Sequence, residues 1–172
     1  KKGNLKIRSN MAYQQNQSVK IVFIGNGGCG KTTYLNMLRT GNFERKYIPT
    51  MGVEVHPIRV DGVDDLTFNC WDCAGQERFG GLQEEYYKGA HTIIVCFTQS
   101  SKLEVKSIPG WIKMARDTCP EVKIILLGMK SDLPAIQGLL PIIRQTNLPF
   151  CSISTKTRMN SDLPFRMIRE SM

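Results

Sequence analysis

The sequence predicts an α/β fold: a six-stranded, mostly parallel sheet with one antiparallel edge strand and helices on both faces. Three observations carry this expectation. Strand-like and helix-like segments alternate along the chain, the pattern of a helix-covered sheet. Two runs, TIIVCFT (92–98) and VKIILLG (122–128), are apolar without alternation, as strands buried on both faces are. The first strand runs straight into a glycine-rich loop and then a helix, in SVKIVFIGNGGCGKTTYLNMLRTG. With 172 residues, 41% of them hydrophobic, the chain suits one domain with a substantial core.

The elements follow in order. Residues 1–17 are polar, basic and rich in Asn and Gln; they are set aside as a flexible segment, and residues 18–172 are assigned to the domain. SVKIVFIG (18–25) reads as a buried strand and KTTYLNMLRTG (31–41) as a helix closed by Gly41. GVEVHPIRV (52–60) and LTFNCW (66–71) flank a polar turn, Asp61 to Asp65, and so read as a hairpin. Pro57 has no N–H for a ladder, which puts the first of the pair at a sheet edge. LPFCSIS (148–154) is a shorter last strand. Helices are expected over 101–118, 136–146 and 161–171. Pro141 makes the second irregular, and Ser161 is the N-cap expected for the third.

Charge and cysteine usage narrow the function. The formal net charge is +8, but Lys1, Lys2, Lys6 and Arg8 crowd the first ten positions without an acid. The remaining charge is an ordinary solvated surface, so no nucleic-acid partner is expected. No run approaches the ~20 apolar residues of a membrane span. The six cysteines fall mostly in apolar runs, as reduced thiols of the cytoplasm or nucleus do. Cys70-Trp-Asp-Cys73 spells C-x-x-C but has no second pair to complete a zinc site. On a strand its two thiols face opposite sides.

GNGGCGKTT (25–33) fits two fingerprints. Gly25 to Gly30 spells G-x-G-x-x-G, the dinucleotide signature; Gly25 to Thr32 spells G-x-x-x-x-G-K-T, the triphosphate loop. The dinucleotide reading explains the glycines and leaves Lys31 and Thr32 without work. In the triphosphate reading, the backbone N–H groups of Gly27, Gly28, Cys29, Gly30, Lys31, Thr32 and Thr33 curl around anionic oxygens. The helix N-terminus adds partial positive charge. Lys31 supplies a full charge to the β- and γ-phosphates, and Thr32 supplies a hydroxyl to Mg²⁺.

WDCAGQE (71–77) strengthens this reading. Asp72 falls at a strand's carboxyl end, where a Mg²⁺ carboxylate belongs. Gly75 offers a backbone N–H to a γ-phosphate, and Gln76 is placed to orient the attacking water.

With these motifs the chain resembles a small GTPase of the Ras superfamily over about residues 18 to 170. KYIPTMG (46–52) is similar to that family's first switch. The resemblance implies nucleotide contact from Tyr47 and makes Thr50 a Mg²⁺ and γ-phosphate ligand. FERKYIPTMGVEVHPI (43–58) and FNCWDCAGQERFGGLQEEYY (68–87) resemble the Ran branch, the nuclear-transport switches, more than the Rab or Ras branches.

Guanine reading in the family uses N-K-x-D and S-A-K. Here Met129-Lys130-Ser131-Asp132 and Ser154-Thr155-Lys156 stand in their places. Asp132 accepts from the guanine N–H groups, the Lys130 stem covers the base face, and a backbone N–H near Thr155 meets the guanine carbonyl. Met129 replaces an amide with a thioether, a loss of about 1–3 kcal/mol. Thr98 stands where Ran relatives usually carry Asp. Both departures imply looser holding and faster exchange. The chain stops at Met172 with neither an acidic tail nor terminal cysteines: either it is cut short or it has no tail, and nothing supports a lipid anchor.

The resemblance implies hydrolysis of GTP to GDP and phosphate, with GTP or GDP as ligand and Mg²⁺ as cofactor. Gln76, Lys31 and Thr50 would be catalytic, and Thr32, Thr50 and Asp72 would serve the metal. Arg45 and Arg78 lie near the switches but read as surface residues, so intrinsic turnover is expected to be slow and partner-accelerated. The expected partners are an exchange factor, a GTPase-activating protein and effectors of the transport-receptor kind, acting on a monomer. Phe79, Leu82, Tyr86 and Tyr87 form either an effector patch or the packing face of the second switch helix. His56 and His91 read as structural. Two rivals stand beside the Ran-like switch: a degraded GTPase fold serving as a binding module or decoy, and a Rab-like trafficking switch.

Overall fold

The computed structural model describes residues 17–75 and 83–172. Six strands form one sheet: β1 (Gln17–Gly25), β2 (Val53–Ile58), β3 (Leu66–Cys73), β4 (Thr92–Thr98), β5 (Lys123–Met129) and β6 (Phe150–Ser152). The order is β2-β3-β1-β4-β5-β6. Only the β2–β3 pair is antiparallel. Pro57 does sit on the edge strand, opposite Asn69. The described helices are α1 (Lys31–Thr40), α2 (Gln83–Tyr87), α3 (Lys102–Thr118), α4 (Leu139–Gln145) and α5 (Leu163–Glu170).

The unbroken apolar runs are explained by two cores, one on each face of the sheet. On one face Phe23, Phe68, Ile94 and Leu127 meet Tyr34 and Leu35 of α1 and Phe165 and Ile168 of α5. On the other, Val22, Ile93, Val95 and Leu126 meet Val105, Ile108 and Trp111 of α3 and Ile143 of α4. Neighbouring residues of a strand point to opposite faces, so a strand covered on both sides has no polar positions to alternate with. Phe68 and Phe165 meet edge to face, 4.9 Å between centroids. Cys70 belongs to the first core and Cys73 to the second, as the period of a strand dictates. All six cysteines are free.

Boundaries depart from expectation where local chemistry decides them. β1 begins at Gln17, whose N–H bonds Asp65 O at 3.2 Å. Gly41 closes α1 in the left-handed region at φ 75°, as predicted. Ser101 caps α3 by accepting from the Glu104 N–H. Pro109 lies inside α3 on its exposed side, a position that the alternation of segments did not reveal. α4 starts only at Leu139, so Pro141 falls within its first turn, where a missing N–H costs no helical bond. Ser161 does not cap α5. The cap residue is Asp162, without a side-chain bond, and Pro164 follows in the first turn. The Ser161 carbonyl accepts from the buried Tyr34 hydroxyl at 2.5 Å.

Candidate functional site

β1 delivers Gly25 to the carboxyl edge of the sheet, and residues 26–30 turn the chain back into α1. Gly25 has φ 140°, and a Cβ there would lie 2.1 Å from the Cys96 carbonyl oxygen. No side chain fits between β1 and β4 at that point. Gly30, at φ 111°, precedes α1 without any side-chain cap. The first turn of α1 contains no acid, so its N–H groups and dipole are left to an anion.

Lys31 is buried. Its Nζ donates to Gly25 O at 2.9 Å and Asn26 O at 3.2 Å; such partners offset the cost of burying an ammonium. Cys29 is fully buried beside it. Desolvation pushes the Cys29 thiol up, and the Lys31 charge opposes this only in part.

Across the loop three oxygen-bearing side chains converge. The Thr32 hydroxyl donates to Asp72 Oδ2 at 2.5 Å and lies 2.7 Å from the Thr50 hydroxyl. These residues come from α1, the segment before β2, and the end of β3. Asp72 is completely buried, and its Oδ1 has no hydrogen-bond partner. Burial pushes its carboxyl above the ordinary value; the Thr32 hydroxyl and the Lys31 charge pull the other way. A buried carboxylate oxygen without a donor, beside two hydroxyls, fits a small hard dication that prefers oxygen ligands. Among the described residues no three His, Cys, Asp or Glu side chains are grouped so as to hold a metal ion.

Gly75 packs directly on the loop. A Cβ there would lie 2.3 Å from Gly27 N and 2.6 Å from Asn26 C. Gln76, Arg78, Phe79 and Leu82 lie outside the described residues.

Gly27 to Thr33 (every residue between them included), Tyr47, Thr50, Gly75, Met129, Lys130, Asp132, Thr155 and Lys156 line one cavity of about 460 Å³, within the range of small-ligand sites. Ser154 sits behind the wall: its hydroxyl donates to Asp132 Oδ1 at 2.6 Å and accepts from the Thr157 N–H. Lys130, in the left-handed region at φ 57°, sends its Nζ to Gly28 O at 3.0 Å. Met129 is buried in the first core, with its methyl 3.5 Å from the point where a Cβ on Gly30 would stand. The base-side loop therefore bonds the phosphate loop through the Lys130 ammonium, while the Met129 methyl fills space that a side chain at position 30 would need. Phe43, Asn36 and Leu133 also line the cavity; nothing in the periodicity of the sequence singled them out.

Outside the cavity, Thr98 is buried with its hydroxyl unpartnered, while its N–H bonds Glu104 Oε2 at 2.7 Å. Tyr87 is buried in the second core, its hydroxyl 3.5 Å from Met114 Sδ. Tyr86 lies against Trp71 with centroids 6.5 Å apart. Of the four aromatic and apolar residues after the second motif, these two pack inward. His91 Nδ1 lies 2.8 Å from the Thr92 hydroxyl, and His56 is buried on β2. Arg45 is exposed and lines the cavity.

A parallel sheet whose first strand feeds such a loop, with Lys and Thr opening the next helix, defines a phosphate-loop nucleotide-binding protein. The family model of the Ras family matches residues 20–172. The chain belongs to the Ras family and is a small GTP-binding switch protein. Proteins of this family bind GTP or GDP with Mg²⁺, hydrolyse GTP, and work with exchange factors, GTPase-activating proteins and effectors. No described helix is long and apolar enough to cross a membrane.

Proposed function

We propose that this chain is a switch of the Ran type, cycling between GTP and GDP in the cytoplasm, the nucleus or both, and read by transport-receptor proteins. The observation that carries the nucleotide cycle is the convergence of Thr32, Thr50 and Asp72 at the mouth of the glycine-rich loop. The Ran assignment rests on the sequence stretches 43–58 and 68–87.

In this reading the loop N–H groups and Lys31 hold the phosphates, and Lys31 offsets charge that builds on the leaving diphosphate. Thr32, Thr50 and Asp72 would hold Mg²⁺, and the ion would supply charge neutralisation on the phosphate oxygens. Gly75 offers its N–H to the γ-phosphate, and Gln76 orients the attacking water. Asp132, Lys130 and the Ser154–Lys156 loop read the base. Little covalent chemistry falls to the protein, so turnover without a partner is slow, and an activating partner adds about 10³–10⁵ in rate.

A second reading is favoured by Met129, which fills with a thioether the place the family gives to an amide. There the fold is a binding module that holds nucleotide loosely and does not cycle. Denaturing the purified protein and identifying the released nucleotide by chromatography separates the two. Guanine nucleotide near one per chain supports the switch. A preparation that is empty and ignores added GTP with Mg²⁺ leaves the module. Gln76→Leu then tests hydrolysis: turnover falls while binding persists, and undiminished turnover removes Gln76 from its role.

A further inference from the structure

Asn26 is the second residue of the phosphate-loop motif, a position the nucleotide chemistry does not use. Its side chain points away from the cavity. Asn26 Oδ1 accepts from the Trp111 indole N–H at 2.7 Å and lies 3.0 Å from the Ser107 hydroxyl, whose single proton is shared with the Glu104 carbonyl oxygen at 2.7 Å. Trp111 is nearly fully buried in the second core. The backbone of the same Asn26 accepts from Lys31 Nζ and from the Cys29 N–H and lies under Gly75. One residue therefore joins α3 to the lysine, to the loop and to the segment leading to Gln76.

We infer that Trp111 and Ser107 are positioning residues for nucleotide binding, holding the phosphate loop from behind through Asn26. The reason is geometric. A loop rich in glycine has little stiffness of its own, and its N–H groups serve a phosphate only when aimed before the ligand arrives. The two donors come from successive turns of one helix, residues four apart, so they meet a single acceptor on one helix face. An indole N–H and a short hydroxyl fix that acceptor in two directions. The inference rests on the reading of the cavity as a nucleotide site.

The test is the release rate of a fluorescent GDP analogue with Mg²⁺. Trp111→Phe removes the shorter bond to Asn26 and speeds release about fivefold, the worth of one hydrogen bond. Ser107→Ala removes a bond shared with the Glu104 carbonyl and speeds release by less, about twofold. Ser107→Thr keeps the hydroxyl and restores the slow rate. In an Asn26→Ala background, which is itself fast, Trp111→Phe adds nothing, because the acceptor is gone. A purely structural role for the indole would instead persist in that background, and would leave Ser107→Ala unchanged. Wild-type release rates in both single variants would overturn the inference while leaving the nucleotide site intact. A wild-type protein that binds no guanine nucleotide would overturn the site reading and the inference together.

Discussion

Met129→Asn sets two measurable quantities moving in opposite directions. The Met129 side chain is 1% exposed, belongs to the core beneath α1 and α5, and closes the seam at Gly30. Removing it forfeits the burial of one methionine, about 1.5–3 kcal/mol. Bringing an amide into the same place adds desolvation of roughly 1 kcal/mol where its groups find partners. In nucleotide-stripped protein, stability falls by about 2–4 kcal/mol. For a chain of this size, that lowers Tm by roughly 5–15 °C. The amide also bridges the base-side loop and the phosphate loop by hydrogen bonds when nucleotide is present. That gain, about 1–3 kcal/mol, slows GDP release roughly 5- to 150-fold. Scanning calorimetry of stripped protein and stopped-flow release of a fluorescent GDP analogue give the two numbers. Unchanged or faster release in the variant would refute the account of the base loop. An unchanged Tm would refute the contribution of Met129 burial to the core.

Other perturbations test other parts of the structure. Gly75→Ala forces a methyl against backbone atoms of Gly27 and Asn26 that cannot rotate aside. Overpacking of this kind costs about 1–3 kcal/mol, so GTP hydrolysis falls and the Tm drops by roughly 2–12 °C; wild-type turnover with an unchanged Tm would contradict the close approach. Five of the six thiols are buried and Cys119 is half-buried, and burial pushes Cys151 up to about 12. A thiol reagent at pH 8 therefore modifies Cys119 first and the others only on unfolding; mass spectrometry of partly labelled protein locates the adduct. The Asp162 carboxyl is held below its ordinary value, first by the Arg166 hydrogen bond at 2.5 Å. A depressed carboxylate contributes stability that is present at neutral pH and lost as pH falls through its folded value. Arg166→Ala is thus less stable than wild type at pH 7, by at most about 1 kcal/mol for so exposed a pair, and the difference disappears in acid. A gap that survives below about pH 2 would assign the effect to the second hydrogen bond of Arg166, from its guanidinium to the Asp61 carbonyl oxygen at 3.1 Å.

The parts of this fold legible in the sequence are those with a local cause. Continuous apolar runs announced β4 and β5 because both faces of the sheet are covered. Gly41 announced the end of α1 because only a left-handed residue closes a helix in that way. The triphosphate motif announced its loop, since strand, glycines and Lys-Thr appear in a row. Contacts made at long range were not legible. Nothing near Asn26 says that Trp111, 85 positions later, bonds it. Nothing near Ser161 says that a tyrosine from α1 bonds its carbonyl, or that the cap falls one residue later, at Asp162. The inward packing of Tyr87 follows from where α3 lies, which no neighbouring residue encodes. Met129 reads in sequence as the loss of an amide. In the structure it is also a plug between two loops, visible only once they are seen to touch.

Strand β3 places Cys70 and Cys73 in different cores. Three residues along a strand span about 10 Å, and the sheet itself stands between the two sulfurs. No motion short of peeling β3 out of the sheet lets them meet, since a disulfide needs Cα atoms within about 7 Å and side chains turned toward each other. A bridge between these two residues, found in any preparation, is therefore a fingerprint of molecules that have lost their sheet.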